Sequence, residues 1–250
     1  MTPKYDIISP QSQKATVAQL DRALASEAEG CGFEPRQSHH LKIIYEDNDL
    51  IVINKPAGLL TTHTKLYGRE AREHQMTAEN ILNDYVRKGQ RKSRKQVYLV
   101  HRLDRETSGV MMFAKTEEVA DYFRDNWNKL TEKTYLAKVE GHMEDKSGVY
   151  ESYLVEDKKT FRVFSVKEDS NGGKLAKTEW HVINTTRHHT EVEIKLHSGR
   201  KNQIRVHFSE HGHPVLGDRK YGGKPADRMY LHAKELKVKL RSGEWRTFCA

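Results

Sequence analysis

The sequence has few of the features that mark secreted and membrane proteins. It contains only two cysteines, Cys31 and Cys249, and their positions do not suggest a disulfide framework. No apolar run approaches the roughly 18 residues needed to span a bilayer. The first residues also lack the charged and apolar regions of a signal peptide. We therefore expect a reduced, cytoplasmic protein that is not bound to a membrane.

Apolar residues are also scarce, whereas charge is plentiful and biased. Hydrophobic residues make up 36% of the 250 positions, and 43 Lys and Arg face 35 Asp and Glu, for a formal net charge of +8. A chain of this length can still bury a substantial core. Because the excess charge is positive, it favours a polyanionic partner, and nucleic acid is the first candidate.

Residues 1–40 differ from the rest of the chain. They are rich in Pro and Gly and poor in large apolar residues, so we expect a weakly ordered leader followed by one folded domain over 41–250. Back-translation of residues 17–23 and 32–35 can produce strings that resemble the D-arm and T-arm of a tRNA gene. We therefore hypothesise that the leader is a tRNA gene read as protein from a start placed too far upstream, and that translation begins near Leu41.

A polar turn that runs into an apolar segment dominates the middle of the chain. His101 to Lys115 reads HRLDRETSGVMMFAK, and its apolar residues 110–114 predict a buried strand. Charged side chains next to a core strand are held in place, as a reactive site requires. A surface ion-pair cluster of Arg102, Asp104 and Arg105 is the alternative.

Three further stretches carry polar residues in unusual positions. Strict alternation over 133–139 predicts a strand with Lys133 and Tyr135 on its core-facing side. The alternative for Tyr135 is a strand-edge Tyr with its hydroxyl at the surface. Residues 198–207 read SGRKNQIRVH, and their cations could simply contact phosphates. Residues 87–95 hold six positive charges in nine positions, which is typical of either a solvated loop or a phosphate-binding loop.

Taken together, these motifs resemble the signature of the RluA-type RNA pseudouridine synthases. The resemblance rests on His-Arg-Leu-Asp-x-x-Thr-Ser-Gly from His101, Asn-Lys-Pro-x-Gly from Asn54, Lys-x-Tyr from Lys133 and Gly-Arg-x-His-Gln-Ile-Arg-x-His from Gly199. The sequence departs from the last pattern at Asn202, where the family has His. The resemblance extends from Ile43 to about Leu240.

The resemblance implies an α/β (α+β) fold with a central, mostly antiparallel mixed sheet and flanking helices. It implies that specific uridines in rRNA or tRNA are flipped out and isomerised, with Asp104 as the catalytic aspartate. Tyr135 would stack on the base near its C5 proton, and Arg205 would pair bidentately with a buried Asp104 to keep it ionised. The expected substrate-binding residues are Arg102, Lys133, Arg200, Asn202, Gln203 and, in the basic tract, Arg91 and Lys92.

No cofactor or metal is expected, and we expect a monomer. His207, His211 and His213 are spaced closely, but no matching carboxylate or cysteine set lies near them in the sequence. Two other classes compete with the synthase. A non-catalytic RNA-binding protein would gain nothing from Asp104, since like charge opposes binding to a polyanion. A glycosidase would need a second acid near the motifs, and none is evident.

Overall fold

A computed structural model of the chain describes residues 41–63, 75–88, 90, 92–168 and 172–250. The predicted leader, Gly89, Arg91 and residues 169–171 lie outside these residues, so the boundary expected at residue 40 stays a prediction. The chain divides into two compact units. One runs to Trp127 and includes Thr247–Ala250, and the other is Asn128–Arg246.

The first unit is built on a hairpin and a buried strand. β1 (Lys42–Glu46) and β2 (Leu50–Lys55) pair antiparallel, and the Asp47 carboxylate closes their turn by accepting from the backbone of Leu50 at 2.7 Å. β2 pairs with β4 (Ser108–Ala114), in which all seven residues are buried. The short β3 (Tyr98–Leu99) pairs with the end of β4.

Two helices complete this unit. α1 (Ala78–Arg87) begins at Thr77, whose hydroxyl accepts from Asn80 N as an N-cap. The helix ends at Lys88, which takes the left-handed position at φ 49° and whose N–H reaches the carbonyl of Tyr85. α2 (Glu117–Leu130), which begins in this unit and ends in the other, buries Val119 and Phe123.

The second unit is an antiparallel sheet with one helix. Its strands are β5 (Thr131–Glu140), β6 (Ser147–Glu156), β7 (Val163–Val166), β8 (Lys174–Thr185), β9 (His189–Leu196) and β10 (Leu231–Lys239). They lie in the order β10-β5-β9-β8-β6-β7. β11 (Trp245–Cys249) begins in this unit and ends in the first. The helix α3 (Gln203–Glu210) packs near β6, β7 and β8.

The predicted fold class is confirmed. Strand pairing within each unit is antiparallel, while a parallel bridge joins Leu60 to Thr77. In the described parts of the chain, no helix has the length and apolar character needed to cross a membrane.

The helix α3 buries a histidine among polar partners. His207 is 1% exposed, with Nε2 2.9 Å from the hydroxyl of Ser152 and Nδ1 2.8 Å from that of Thr178. Burial, followed by repulsion from His211, lowers the pKa of His207 from 6.5 to about 4. The folded protein therefore keeps this imidazole neutral at pH values where the unfolded chain protonates it.

This difference predicts a pH dependence of stability. Between pH 6.5 and about 4 the unfolded chain binds more protons at His207 than the folded chain, so stability decreases as the pH decreases. The His207 contribution should fall by about 2 kcal/mol between pH 7 and pH 5. Urea unfolding at both pH values should show a smaller decrease for His207→Gln than for the wild type. Equal decreases would contradict the lowered pKa.

Candidate active site

The loop that carries Asp104 is fixed to the turn after β2 by a buried lysine. The Lys55 ammonium is fully buried and donates to the carbonyls of Pro56 at 2.8 Å, Leu59 at 2.9 Å and Arg105 at 3.2 Å. A buried ammonium requires such acceptors. Lys55 therefore joins the Asn-Lys-Pro-x-Gly turn to the residue that follows Asp104. The sequence motif alone does not indicate this function of Lys55.

Both neighbours of Asp104 are held by further hydrogen bonds. Arg105 Nε donates to the carbonyl of Gly58 at 3.0 Å, and Gly58 N donates to that of Arg105 at 2.8 Å. The hydroxyl of Thr61 donates to the carbonyl of Leu103 at 2.9 Å and accepts from Leu103 N at 3.4 Å. Arg105 therefore holds the backbone of this loop through hydrogen bonds. The alternative interpretation of the sequence had assigned Arg105 to a surface ion-pair cluster with Arg102 and Asp104.

The side chains of this loop alternate between core and surface. The ring of His101 stacks on Trp127 with centroids 4.4 Å apart, and its Nε2 accepts from Met112 N at 3.0 Å. Leu103 is buried and Arg102 is exposed. Asp104 is half-buried, which corrects the expectation of a fully buried carboxylate. Its side chain keeps access to solvent because it lies in a turn, which Thr107 N closes on the Asp104 carbonyl at 3.2 Å.

In the second unit Arg205 forms a buried ion pair that the sequence did not predict. Arg205 Nε lies 2.6 Å from Asp218 Oδ2, and a terminal nitrogen lies 2.8 Å from Oδ1. Both side chains are nearly or fully buried. Asp218 therefore binds the Nε face of the guanidinium, and the predicted pairing of Arg205 with Asp104 stays a prediction.

Glycines shape the turn that presents Asp218. Gly217 has φ +83°, and a Cβ there would lie 1.9 Å from the carbonyl oxygen of Arg228. A Cβ at Gly223 would lie 2.2 Å from that of Val215. Only glycine fits such contacts. Asp218 also accepts from the backbone of Tyr221 at 3.2 Å, so its carboxylate is held from two sides.

The predicted substrate-binding residue Gln203 is instead used within the protein. Its Oε1 accepts from the hydroxyl of Ser198 at 2.8 Å and from Arg200 N at 3.0 Å. Its Nε2 donates to the carbonyl of Lys177 at 3.0 Å and to the hydroxyl of Thr178 at 2.9 Å. With both ends of the amide engaged, Gln203 positions the loop of Arg200, and its expected direct contact with substrate is corrected.

The neighbouring positions of this loop differ in exposure. Asn202 is buried and has φ 55°, a left-handed conformation that Asn adopts more readily than most residues. Arg200 is exposed, and its Nε donates to the carbonyl of Leu175 at 3.0 Å. Lys201 is also exposed and pairs with Glu156. The loop therefore presents two cations to solvent.

Lys133 and Tyr135 lie on the face of β5 that the alternation predicted. Lys133 is buried and donates to Oδ1 of Asn128 at 3.2 Å, whereas Tyr135 is half-buried. Burial, followed by repulsion from Arg200, lowers the pKa of Lys133 from 10.5 to about 8. Lys133 is therefore a cation at neutral pH that gives up its proton more readily than a surface lysine.

The basic tract of residues 87–95 is held by hydrogen bonds at its two ends. Arg87 Nε donates to the carbonyl of Lys95 at 3.0 Å, and Val97 N donates to Oδ1 of Asn83 at 2.7 Å. Lys92 and Arg94 are exposed, while Arg91 lies outside the described residues. No group of three or more His, Cys, Asp and Glu side chains within the described ranges is arranged to hold a metal ion.

Comparison with known families assigns the chain. Residues 49–210 match the family model described as RNA pseudouridylate synthase. This chain belongs to that family. The match includes the Asp104 loop, the Lys-x-Tyr strand and the Arg205 helix.

Individual relatives support the RluA type. The chain is 35% identical to the dual-specificity RNA pseudouridine synthase RluA of Escherichia coli K12 over 215 residues, which cover 82% of this chain and 90% of that protein. It is 32% identical over 216 residues to the ribosomal large subunit pseudouridine synthase D of Borreliella burgdorferi, which cover 83% of this chain but 64% of that protein. The predicted RluA-type assignment is confirmed, and with it the class of RNA-modifying isomerases.

A solved structure agrees with this assignment. Human RNA pseudouridylate synthase domain containing 1 superposes with a TM-score of 0.67 at 26% identity, covering 87% of this chain and 86% of that one. A second human structure, RNA pseudouridylate synthase domain containing 4, gives 0.64 at 23% identity, which supports the pseudouridine synthase fold.

Proposed function

We propose that this chain isomerises specific uridines in structured RNA to pseudouridine, with Asp104 as the catalytic carboxylate. The observation that carries the proposal is the Asp104 loop, where hydrogen bonds to Leu103 and Arg105 hold the chain on both sides of a half-buried carboxylate. A group held in this way needs little reorganisation to react. Family membership supplies the reaction class.

Ribosomal or transfer RNA is the proposed substrate. The Borreliella relative is named for the large ribosomal subunit, and the Escherichia coli relative is named as dual-specific. The net charge of +8 also favours a large polyanion.

The proposed reaction breaks one bond and forms another without a cofactor. The target nucleotide leaves its stack, and the exposed Arg102 occupies the vacated space. The N1–C1′ bond breaks, the uracil turns, C5 joins C1′, and the C5 proton is lost while N1 gains a proton. Asp104 either attacks C1′ and is displaced when C5 joins C1′, or removes the C2′ proton and returns it after C5 has joined C1′. Either route needs an ionised carboxylate. We propose that the positive charge of Arg205 favours the ionised form of Asp104.

Other residues are proposed to bind and orient the uridine. Tyr135 stacks on the base and assists loss of the C5 proton. Lys133, Arg200 and Asn202 contact the nucleotide, and Gln203 acts on it only through the loop that it positions. Arg91 and Lys92 hold phosphates of the surrounding RNA.

Mapping of pseudouridines tests the proposed function. Carbodiimide-dependent primer extension across rRNA and tRNA would be compared between cells with and without the gene. We expect at least one modified position to be lost with the gene and restored by the wild-type chain but not by Asp104→Asn. Identical maps in all strains, together with an inactive purified chain on the same RNAs, would exclude the proposal.

The basic tract offers a separate prediction. Replacing Arg91, Lys92, Arg94 and Lys95 with Gln should weaken RNA binding for all sequences. It should also lower the salt slope, which is the change in the logarithm of the binding constant with the logarithm of the salt concentration, by about one unit per lost phosphate contact. Turnover at saturating RNA should barely change, because phosphate contacts hold ground and transition states equally. Filter binding across a salt series and single-turnover kinetics measure both quantities.

A matched variant controls for net charge. Lys42, Lys146, Arg187 and Arg241 are exposed cations outside the tract. Replacing these four with Gln removes the same charge as the tract variant but should change the salt slope less. A lower kcat with an unchanged salt slope in the tract variant would mean that the tract shapes the active site instead of binding phosphates.

A further inference from the structure

The loop between β6 and β7, residues 157–162, presents an aromatic ring to solvent in an unfavourable backbone conformation. Phe161 is 45% exposed and has φ 54°. Positive φ is uncommon for residues other than glycine and is an outlier for a bulky side chain. Such strain is characteristic of functional segments. An exposed ring held this way is a candidate binding element.

Hydrogen bonds fix the shape of this Phe161 loop. The Asp157 carboxylate accepts from Lys159 N at 2.7 Å and from Thr160 N at 2.9 Å. Phe161 N donates to the Asp157 carbonyl at 2.8 Å, and the ammonium of Lys220 donates to the Phe161 carbonyl at 2.7 Å. The loop therefore holds the ring in a defined place and does not need to order on binding.

Positive charge surrounds the ring. The ammonium of Lys201 lies 5.9 Å from the ring centroid of Phe161. The exposed cations of the loop and of the two neighbouring segments are Lys158, Lys159, Arg162, Lys201, Arg219 and Lys220. The acids next to them are already engaged, because Glu156 pairs with Lys201 and Asp157 accepts backbone hydrogen bonds. An aromatic ring among cations suits a strand of nucleic acid, whose bases stack and whose phosphates carry negative charge.

The Phe161 loop is also attached to the Arg205 region within the same unit. The guanidinium of Arg162 lies 5.2 Å from the ring centroid of Tyr221, and that of Arg205 lies 5.1 Å from the same centroid. The hydroxyl of Tyr221 accepts from Val163 N at 3.0 Å. One buried tyrosine therefore links the base of the loop to the Arg205–Asp218 pair.

We propose that the Phe161 loop of the second unit binds an unpaired segment of the substrate RNA. The ring of Phe161 stacks on an unpaired base, and Lys158, Lys159 and Lys220 hold the adjoining phosphates. Single strands are favoured over duplex because paired bases are already stacked and offer no free face. The inference rests on the proposed function for its RNA substrate and adds the site and the strandedness of the contact.

The test uses the full chain with a short fluorescein-labelled oligouridine and a mixed-sequence RNA duplex of equal length. Phe161→Gly should weaken binding to the oligouridine about tenfold and leave binding to the duplex within about twofold. Its melting temperature should stay the same or increase, because glycine adopts φ 54° without strain. The separate variant Phe161→Trp should bind the oligouridine about as tightly as the wild type.

A second phenylalanine provides the matched control. Phe164 is 41% exposed but lies on the regular strand β7, so Phe164→Ala should keep oligouridine affinity within about twofold of the wild type. Lys158→Gln combined with Lys159→Gln should lower the salt slope by about one unit per lost contact, whereas Phe161→Gly should leave the slope unchanged.

Three results would overturn the inference. The first is that Phe161→Gly binds the oligouridine with wild-type affinity, and the second is that it loses as much affinity for the duplex as for the oligouridine. The third is that its melting temperature falls together with its affinity, which would mean that the ring contributes to packing. Binding to oligouridine does not require turnover. Absence of pseudouridine in all RNAs treated with the wild-type chain would therefore reject the proposed function without deciding the Phe161 comparison.

Discussion

We expect Asp104→Asn to abolish pseudouridine formation, with a loss of at least about a thousandfold. The amide has nearly the same shape as the carboxylate but can neither attack C1′ nor accept the C2′ proton as an anion. RNA affinity should stay within about tenfold of the wild type, because one carboxylate contributes little among many basic contacts. Carbodiimide mapping on purified RNA measures the first quantity, and filter binding measures the second.

Glu106→Gln is the matched control for this change. Glu106 is an exposed acid two residues further along the same loop, and its replacement removes the same charge from the same region. We expect nearly full activity and slightly tighter RNA binding. Turnover of Asp104→Asn near the wild-type rate would exclude Asp104 as the catalyst, and equal losses in both variants would point to the charge of the loop instead of its chemistry.

The second large effect is expected at Arg205. Arg205→Met leaves the buried carboxylate of Asp218 without its cation, and the cost of such a change is about 3–5 kcal/mol of stability. Arg205→Lys should cost less, because it keeps a positive charge although it loses the bidentate geometry. Urea unfolding measures these differences, and activity should decrease in the same order.

A double variant separates the structural function of Arg205 from the catalytic one. Arg205→Met combined with Asp218→Leu replaces a buried ion pair with apolar side chains, so much of the lost stability should return. Pseudouridine formation should stay low if Arg205 also supports the charge of Asp104. Recovery of activity together with stability, or equal activity of Arg205→Met and Arg205→Lys, would remove Arg205 from the catalytic set.

Local patterns predicted several elements because their causes are local. The hairpin of β1 and β2 follows from two β-branched runs around Asp47, and α1 begins at the Thr77 cap that its sequence indicates. The helix α3 was not predicted. Arg205 and His207 are polar, so the segment lacks an apolar periodicity, yet both are buried because Asp218, Ser152 and Thr178 satisfy them.

The sequence by itself determined the family, the class of fold and the identity of the motif residues, because these depend on the order and spacing of residues along the chain. Tertiary structure decided the partners of buried polar groups. Asp218, which lies 13 positions beyond Arg205, occupies its bidentate face, and Lys55 reaches the carbonyl of Arg105, which lies 50 positions away. The low-dielectric interior forces each buried charge to find such a partner, and only the folded chain brings the two together.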